Sequence, residues 1–413
     1  MTPFLWDNPL DIDSDAGQAA LAKAHRAGDR VLCRCRSPHP KMYIATIGGK
    51  FIVKRMPDTG PDHAPDCASF LPPEELSGLA QIKGSAISEN PDDGSTTLKL
   101  GFPLKKNRKS GTIAQGSQSS NGKPMEAKAP ERQMTITSLL HFLWHEADLG
   151  RWYPAMEGKR WWGVVQYALR SAVAGKHAKG KNLAQVLYVP ENFKLERKAE
   201  IAARRNSMFR VLRPTGNGPA PLGLLIAEYK GCKPTRTGGR LFMFKHLPDC
   251  PFFADKDLAD RFDKVFSERL ELAEFVQTGH VIVIASFSVA KAGYPVLQEI
   301  GMMLVTENWI PFEYLRELEV VTALTEQKRA FQKSLRFNLG ADAPIAAAVL
   351  TDTPEPVALF VADDPDNTNM IASMAENASE GRFPAWLWID EEPMQDFPEP
   401  RSQTASVKGD HMR

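Results

Sequence analysis

Cysteine and long apolar runs are both scarce in this sequence. The 413 residues contain five cysteines, and the best apolar runs, Leu222–Ala227 and Val281–Phe287, are shorter than ten residues. A bilayer-spanning helix needs roughly 20 apolar residues, so an integral membrane protein is excluded. A small and odd number of cysteines excludes a disulfide scaffold and favours a reducing compartment. Residues 1–15 lack the segments of a secretory signal, so we expect a cytoplasmic protein without a membrane partner.

Motifs that identify common enzyme classes are also missing. The sequence has no P-loop, no Gly-x-Gly-x-x-Gly after a strand and no Gly-x-Ser-x-Gly. His141 and His145 lack the acid of a His-Glu-x-x-His metalloprotease helix, so we interpret them as packing residues. We therefore assign no catalytic residue, and a non-catalytic protein is favoured.

Charge is balanced overall, at +1, but is distributed unevenly. Residues 151–210 hold 13 Lys and Arg against 4 Asp and Glu, whereas residues 341–413 hold 4 against 14. This asymmetry indicates either an anionic partner for the basic segment or attraction between the two segments within the fold. The acidic C-terminal segment is also a candidate surface for a protein partner.

The order of predicted elements favours a multidomain α+β protein. Helices are predicted over 17–27, 135–149, 161–175, 195–209, 257–277 and 312–332, and strands fill much of the remainder. The Gly-, Ser- and Lys-rich stretch after residue 104 predicts a mobile linker. The expected units are a lead-in (1–30), a zinc-binding β module (31–103), a disordered linker (104–132), a basic, winged-helix-like helical unit (133–215), an α/β unit (216–306), a C-terminal α/β unit (307–400) and a disordered tail (401–413).

Four candidate metal ligands cluster near the N-terminus: Cys33, Cys35, His63 and Cys67. A closed structural zinc site takes four Cys or His ligands arranged as a tetrahedron. A hairpin turning at Gly48-Gly49 brings the two ligand pairs together. We therefore predict that these four side chains bind zinc; the alternative is free cysteines packed as small apolar groups.

A second cluster resembles the first. Both contain a Gly-Gly turn, a basic residue, an apolar strand and His-x-Pro-Asp-Cys, which indicates either a duplicated hairpin module or convergence. Cys232, His246 and Cys250 supply three ligands, the number in a catalytic zinc site and also what a decayed structural site retains. Metal binding here, with Glu228 as a candidate fourth ligand, stays open.

Glu228-Tyr229-Lys230 forms half of the PD-(D/E)xK nuclease signature, in which carboxylates hold Mg²⁺ at the scissile phosphate. The upstream Asp is missing, because residues 193–227 contain none. A strand-end Glu beside a solvated Lys is therefore favoured over a metal-dependent hydrolase or nuclease.

Basic side chains surround the helix predicted over 161–175, where Trp161 and Trp162 interleave with the charge. Lys and Arg on one face bind phosphates without sequence preference, so DNA or RNA is a candidate partner. The alternative is a helical bundle with a Trp core and solvated charges. The candidate nucleic-acid contacts are Lys159, Arg160, Arg170, Arg204 and Arg205.

Several segments carry a family resemblance. They include Met42-Tyr43-Ile44, Lys54-Arg55-Met56-Pro57, His63-Ala64-Pro65-Asp66-Cys67, Leu140-His141-Phe142-Leu143-Trp144 and Trp309-Ile310-Pro311-Phe312-Glu313. With these segments the chain resembles, over roughly residues 30–390, an uncharacterised bacterial family carrying the domain of unknown function numbered 1173. The resemblance implies a plasmid or integrative-element context without implying an activity.

The C-terminal part is similar to PD-(D/E)xK-like folds in its helix–strand–strand order. Active relatives carry an Asp before the first strand and a Glu in the second, but the corresponding stretches, 345–348 and 358–360, contain neither. Only Asp352 and Glu317 remain in suggestive places, so the resemblance implies a degenerate site. We expect a non-catalytic, zinc-binding accessory protein of a mobile element, associated with nucleic acid. A metal-dependent hydrolase or nuclease and a protein-binding scaffold are the alternatives.

Overall fold

The computed structural model describes most of the chain. The described residues are 4–5, 8–9, 11–12, 14–47, 49–90, 95–106, 133–213, 219–340, 343, 345–362, 372, 376, 383–389 and 392–401. The predicted linker 104–132 lies outside this set from position 107 onward, and the predicted tail 401–413 does so from position 402.

Side-chain caps begin several of the helices. Ser14, Thr135 and Asp255 each accept a hydrogen bond from a first-turn N–H group, which satisfies a donor that the helix itself leaves unpaired. No helix in the described ranges is long and apolar enough to cross a membrane. The α-helices are α1 (Asp15–Ala27), α2 (Leu79–Ile82), α3 (Ile136–Glu146), α4 (Trp162–Ala172), α5 (Lys198–Val211), α6 (Lys256–Val276) and α7 (Leu315–Glu326).

A mixed central sheet separates two layers of helices. Its strands are Leu187–Tyr188, Gly223–Pro234, Arg240–Phe244, Phe252–Ala254, His280–Val289, Pro295–Val305 and Pro311–Phe312. Because alternate strand residues point to opposite faces, Leu224 and Ile226 pack with α3 and α4, whereas Leu225 and Ala227 pack with α6. Both faces are therefore buried, which explains the continuous apolar runs in these strands.

A second sheet forms the C-terminal part. Its strands, in spatial order, are Ala385–Ile389, Val357–Ala362, Ala348–Leu350, Phe331–Lys333 and Arg151–Trp152. The first two strands pair in parallel and the others are antiparallel. This sheet packs on α7 through residues such as Val320 and Leu324.

The N-terminal region forms a smaller sheet beside α1. Its strands are Phe4–Leu5, Asn8–Pro9, Val31–Leu32, Lys41–Ile47 and Lys50–Arg55. Leu21 and Ala24 of α1 pack on the apolar residues of the last three strands. Two minor sheets complete the described fold: Ile87–Glu89, Thr96–Leu98, Lys176–Ala178 and Lys181–Asn182 in one, and Lys105–Lys106 with Ala220–Pro221 in the other.

The mixed α+β class is confirmed, but the predicted units do not each have a core of their own. One apolar cluster joins Leu98, Trp144, Leu224 and Phe337, which come from four different predicted units. Strands from the expected helical unit 133–215 also enter three different sheets. A winged-helix-like fold for that unit and a nuclease-like fold for residues 307–400 are not confirmed.

One predicted helix is too long. The helix expected over 312–332 occupies only Leu315–Glu326. Lys328 has a φ of 55°, a left-handed conformation that ends a right-handed helix. Phe331–Lys333 then forms a strand, pairing with Ala348–Leu350 on one side.

Candidate metal centre

Short turns around the N-terminal hairpin position the candidate ligands. Cys33 follows the strand Val31–Leu32, and its N–H donates to Pro40 O at 2.9 Å. His63 ends a 3₁₀ turn, Gly60–Asp62. The N–H of Cys67 donates to Ala64 O at 2.8 Å, which closes a turn that directs Cys67 back towards His63.

The four predicted ligands come together. Their ligating atoms all lie within 4.8 Å of one another. Cys33 Sγ is 3.6 Å from Cys67 Sγ, and His63 Nδ1 is 3.5 Å from Cys35 Sγ and 3.7 Å from Cys67 Sγ. Among the described residues, this is the group of Cys, His, Asp and Glu side chains whose geometry could hold a metal ion.

These distances fit a four-coordinate metal ion. Zinc–sulfur and zinc–nitrogen bonds of about 2.3 and 2.0 Å, set at tetrahedral angles, place two sulfurs about 3.8 Å apart and a sulfur and a nitrogen about 3.5 Å apart. Three of the six ligand separations, at 3.5–3.7 Å, match edges of that tetrahedron, and all six are within 4.8 Å. A disulfide requires about 2.05 Å between sulfurs, and all five cysteines are free.

Backbone donors support the thiolate form of two ligands. Ala64 N–H donates to Cys35 Sγ and Ser69 N–H donates to Cys67 Sγ, each at 3.4 Å. Outer hydrogen bonds of this kind orient metal ligands and offset negative charge on sulfur. Cys33 and Cys67 are also buried in the apolar cluster that contains Leu21, which keeps solvent from the site.

The thiol pKa values indicate which ligands favour the thiolate form without a metal ion. Burial raises the pKa of Cys33 to about 12 and also raises the pKa of Cys35. Burial would likewise raise the pKa of Cys67, but hydrogen bonds from the His63 ring and the Ser69 N–H outweigh it, and the value falls to about 6. The protein alone therefore favours one thiolate, and a bound cation supplies the charge that would hold three.

The His63 ring is oriented by its contacts to sulfur and by packing. Nδ1 faces the sulfurs, and Nε2 is buried without a hydrogen-bond partner in the part of the chain that the structure describes. Metal-bound histidines usually donate their second N–H to an acceptor. This site departs from that pattern, so His63 depends on its Nδ1 contacts to hold its position.

Arg151 fastens the metal-binding turn to the body of the protein. Its guanidinium donates to the carbonyl oxygens of Cys67, Ala68 and Phe70 at 2.9, 3.2 and 2.7 Å. Its Nε also donates to Asp148 at 3.0 Å. Sequence reasoning missed this contact, since Arg151 was counted only as part of a basic segment.

The structure does not bring the second cluster together as a metal site. Among the described residues, the group of side chains close enough to share a metal ion contains neither Cys232, His246 nor Cys250. His246 instead stacks on Trp162, with ring centroids 4.9 Å apart. Cys232 Sγ lies 3.6 Å from an Arg240 nitrogen, and Cys250 packs against the apolar cluster beneath α6.

The two clusters differ in the positions of their cysteines relative to the hairpin strands. Cys33 and Cys35 precede their hairpin, whereas Cys232 lies within a hairpin strand, opposite Phe242. His63 follows the first hairpin by a loop of several residues, but His246 comes only two residues after Phe244, the last residue of its hairpin strand. The shared sequence pattern therefore does not give a shared ligand geometry.

The carboxylate of Glu228 is already paired with neighbouring side chains. It is 3% exposed and lies 2.5 Å from both His280 Nδ1 and Lys245 Nζ. Burial opposes its ionisation, but hydrogen bonds from His280 and Lys245 outweigh this and lower the Glu228 pKa. His280 in turn stacks on Trp309 at 3.9 Å. Sequence reasoning found Glu228 but not its partners, which come from strand His280–Val289 and from the turn that follows Phe244.

The five predicted nucleic-acid contacts divide into two groups. Lys159 precedes α4 and Arg170 lies in its last turn; both are exposed, and neither side chain makes a hydrogen bond or ion pair with the described residues. Arg160 donates to the carbonyl oxygens of Leu149, Arg151 and Asn308.

Arg204 and Arg205 are both held in ion pairs. Arg204 is bidentate to Glu191, at 2.7 and 2.8 Å. Arg205 is 7% exposed and bidentate to Asp249. Arg160 and Arg205 are therefore engaged within the fold, and Arg204 is paired at the surface. Nucleic-acid binding by these residues stays a prediction.

The two acids noted in the C-terminal part are also paired. Glu317 receives a hydrogen bond from Lys333 Nζ at 2.6 Å, and both residues are buried. Asp352 is bidentate to Arg329 at 2.9 Å. Each carboxylate is therefore neutralised within the fold.

Comparison with known proteins gives one informative match. No curated protein and no solved structure matches this chain. A family model matches residues 5–391, nearly the whole chain. The chain therefore belongs to the family described as "Protein of unknown function (DUF1173)".

Proposed function

We propose that this chain is a non-catalytic zinc-binding protein that associates with single-stranded nucleic acid. The tetrahedral spacing of Cys33, Cys35, His63 and Cys67 carries the zinc part of the proposal. Three thiolates and an imidazole in a tetrahedron suit zinc better than the hard cations that oxygen ligands select. All four positions are filled by protein, so the ion is structural and leaves no position for a reacting water.

The exposed face of α4 supports the nucleic-acid part. Trp161 and Tyr167 are 53% and 73% exposed, and Val164 lies between them on the same face. The Trp161 ring lies against Gly163, where a Cβ would come within 2.1 Å of it, so the backbone supports one side of the ring. Exposed aromatic faces beside uncommitted cations are typical of surfaces on which unpaired bases stack.

Lys159 and Arg170 frame this aromatic stripe. The part of α4 from Trp162 to Arg170 rises about 12 Å at 1.5 Å per residue, which is long enough for about two nucleotides of an extended strand. Only a few cations would contact phosphates, so binding would be weak, with a Kd on the order of 10⁻⁴ to 10⁻⁶ M. Phosphate contacts do not distinguish bases, so binding would also be independent of sequence. The resemblance to a plasmid and integrative-element family is consistent with a cytoplasmic accessory role of this kind.

The test is titration of a labelled single-stranded oligonucleotide at several salt concentrations. The full chain should bind, and affinity should fall as salt rises. Lys159→Ala combined with Arg170→Ala should weaken binding and flatten its salt dependence, while Tyr167→Ala should weaken binding without changing that slope. Lys264→Ala is the matched control, because Lys264 is an exposed lysine on α6, across the central sheet.

Absence of binding at low salt would contradict the nucleic-acid part of the proposal. Equal losses in the Lys264→Ala control would contradict the assignment to α4. If the chain binds no nucleic acid and retains its metal, the exposed aromatic stripe is better explained as a protein-binding surface.

A further inference from the structure

A cleft of about 460 Å³ lies between the metal-binding module and α3. Strand Lys50–Arg55 forms one wall, and Phe142, His145 and Glu146 of α3 form another. Ala68 and Ser69, from the turn that holds Cys67, also line it. The volume falls within the range of small-molecule sites in proteins.

We propose that this cleft binds a small molecule through a single anionic group, a carboxylate or a phosphate, held by Lys54 and Arg55. This site is separate from the metal centre and from the face of α4 described above. It goes beyond the proposed function and does not depend on the binding of nucleic acid.

Lys54 and Arg55 differ from the other cations that line the cleft, which are paired with acidic side chains or carbonyl oxygens. Lys83 is paired with Asp58 and Glu74. Arg151 is held by Asp148 and three carbonyl oxygens. Lys54 and Arg55 line the same cleft, yet neither side chain makes a hydrogen bond or ion pair with the described residues.

Leaving these cations unpaired has a cost. Both side chains are half-buried. Burial and then the nearby Lys176 charge lower the pKa of Lys54, and the carboxylates of Glu146 and Glu89 oppose this shift without outweighing it. A partly desolvated cation without a partner is unfavourable unless another charge compensates it. Lys54 and Arg55 both line the cleft at the end of their strand, so an anionic group bound there would give these cations the partner that the described residues do not supply.

The carboxylates of the cleft restrict what can bind there. Several are already paired, but Glu75 and Glu89 have no ion pair with the described part of the chain. A surface this rich in carboxylates repels a polyanion such as nucleic acid. A ligand with one anionic end and a neutral or cationic remainder satisfies Lys54 and Arg55 without facing this repulsion. The cleft carboxylates are Asp58, Glu74, Glu75, Glu89, Glu146 and Asp148.

The experiment uses the full-length, metal-loaded chain with two probes, inorganic phosphate and benzoate. Binding is followed by ³¹P line broadening for phosphate and by saturation-transfer NMR for benzoate. At least one probe should bind saturably, with millimolar or tighter affinity, and Lys54→Met and Arg55→Met should each weaken it at least tenfold. Lys50→Met is the matched control, since Lys50 is exposed on the same strand and lies outside the cleft lining.

Stability provides a second readout for folded variants. Because burial disfavours the Lys54 charge and no hydrogen bond or ion pair with the described residues holds it, Lys54→Met should melt at the same temperature as the parent chain or higher, with unchanged metal content. Binding of phosphate alone would identify a phosphate ligand, and binding of benzoate alone a carboxylate ligand. The proposal is overturned if neither probe binds, or if the Lys50 variant loses binding as much as the Lys54 and Arg55 variants. Retention of probe binding by Tyr167→Ala would separate this site from the α4 surface.

Discussion

Arg151 Nη1 lies 2.9 Å from the carbonyl oxygen of Cys67, one of the four candidate metal ligands. Arg151 belongs to the edge strand of the C-terminal sheet, where Trp152 pairs with Phe331. One side chain thus joins the N-terminal metal-binding module to a sheet built mainly from residues almost 200 positions later. The metal site is therefore part of the whole fold and not an isolated appendage.

Arg151→Ala should loosen the metal-binding turn without removing a ligand. Three carbonyl oxygens lose a charged donor, and losses of outer hydrogen bonds typically weaken metal binding about 10–100-fold. Competition with a chromogenic chelator should show faster zinc transfer from the variant. Arg170→Ala, which removes an exposed arginine that makes no hydrogen bond or ion pair with the described residues, should match the parent chain. Equal transfer rates for all three proteins would show that the Arg151 contact does not support the site.

Asp249→Ala should destabilise the fold because it leaves Arg205 buried and without its partner. Removing one member of a buried pair costs about 3 kcal/mol or more, and Arg205 is 7% exposed. Urea unfolding measures this loss, and Arg205→Met should be less damaging because it removes the buried charge itself. Glu191→Ala breaks the exposed pair with Arg204 and should leave the midpoint almost unchanged. An Asp249→Ala chain as stable as the parent would refute the structural role assigned to this pair.

His141 should make the fold sensitive to acid. Burial lowers its folded pKa to about 4, whereas an unfolded histidine titrates near about 6.5. Above pH 6.5 the ring is neutral in both states and contributes nothing. As pH falls from 6.5 to 4, the unfolded state gains a proton first, and stability falls by up to about 3 kcal/mol.

His141→Gln tests this effect, because Gln cannot titrate and its carbonyl can accept the hydrogen bond that Phe337 N–H donates to His141 Nδ1. The variant should lose less stability than the parent chain between pH 7 and pH 5, as measured by thermal melting. His39→Gln removes an exposed histidine and serves as control. A pH dependence in His141→Gln identical to that of the parent would contradict the buried, neutral state.

Local patterns were enough to predict many of the elements and the first ligand set. The hairpin predicted between the two ligand pairs forms from strands Lys41–Ile47 and Lys50–Arg55, because the pattern of a short hairpin is encoded within a few residues. Cys33, Cys35, His63 and Cys67 could be found because few other residue types serve as zinc ligands, and all four lie within one short stretch.

Contacts between distant residues could not be predicted in the same way. The pairing of Glu228 with His280 depends on the register of two central strands, which composition does not determine. Arg205 carries the same formal charge as Arg170, but only the fold brings Asp249 to it. The second His-x-Pro-Asp-Cys motif misled for a related reason, since ligand geometry depends on where Cys232 lies relative to its hairpin.

The central claim is that Cys33, Cys35, His63 and Cys67 hold one zinc ion. Elemental analysis of the purified chain tests it most directly, alongside Cys67→Ser and the double variant Cys232→Ser/Cys250→Ser. The account predicts one zinc per chain in the parent protein and in the double variant. It also predicts loss of zinc and of N-terminal stability in Cys67→Ser, because the binding energy of a structural zinc is folding energy. Full zinc occupancy and an unchanged melting temperature in Cys67→Ser, or zinc lost only from the double variant, would contradict it.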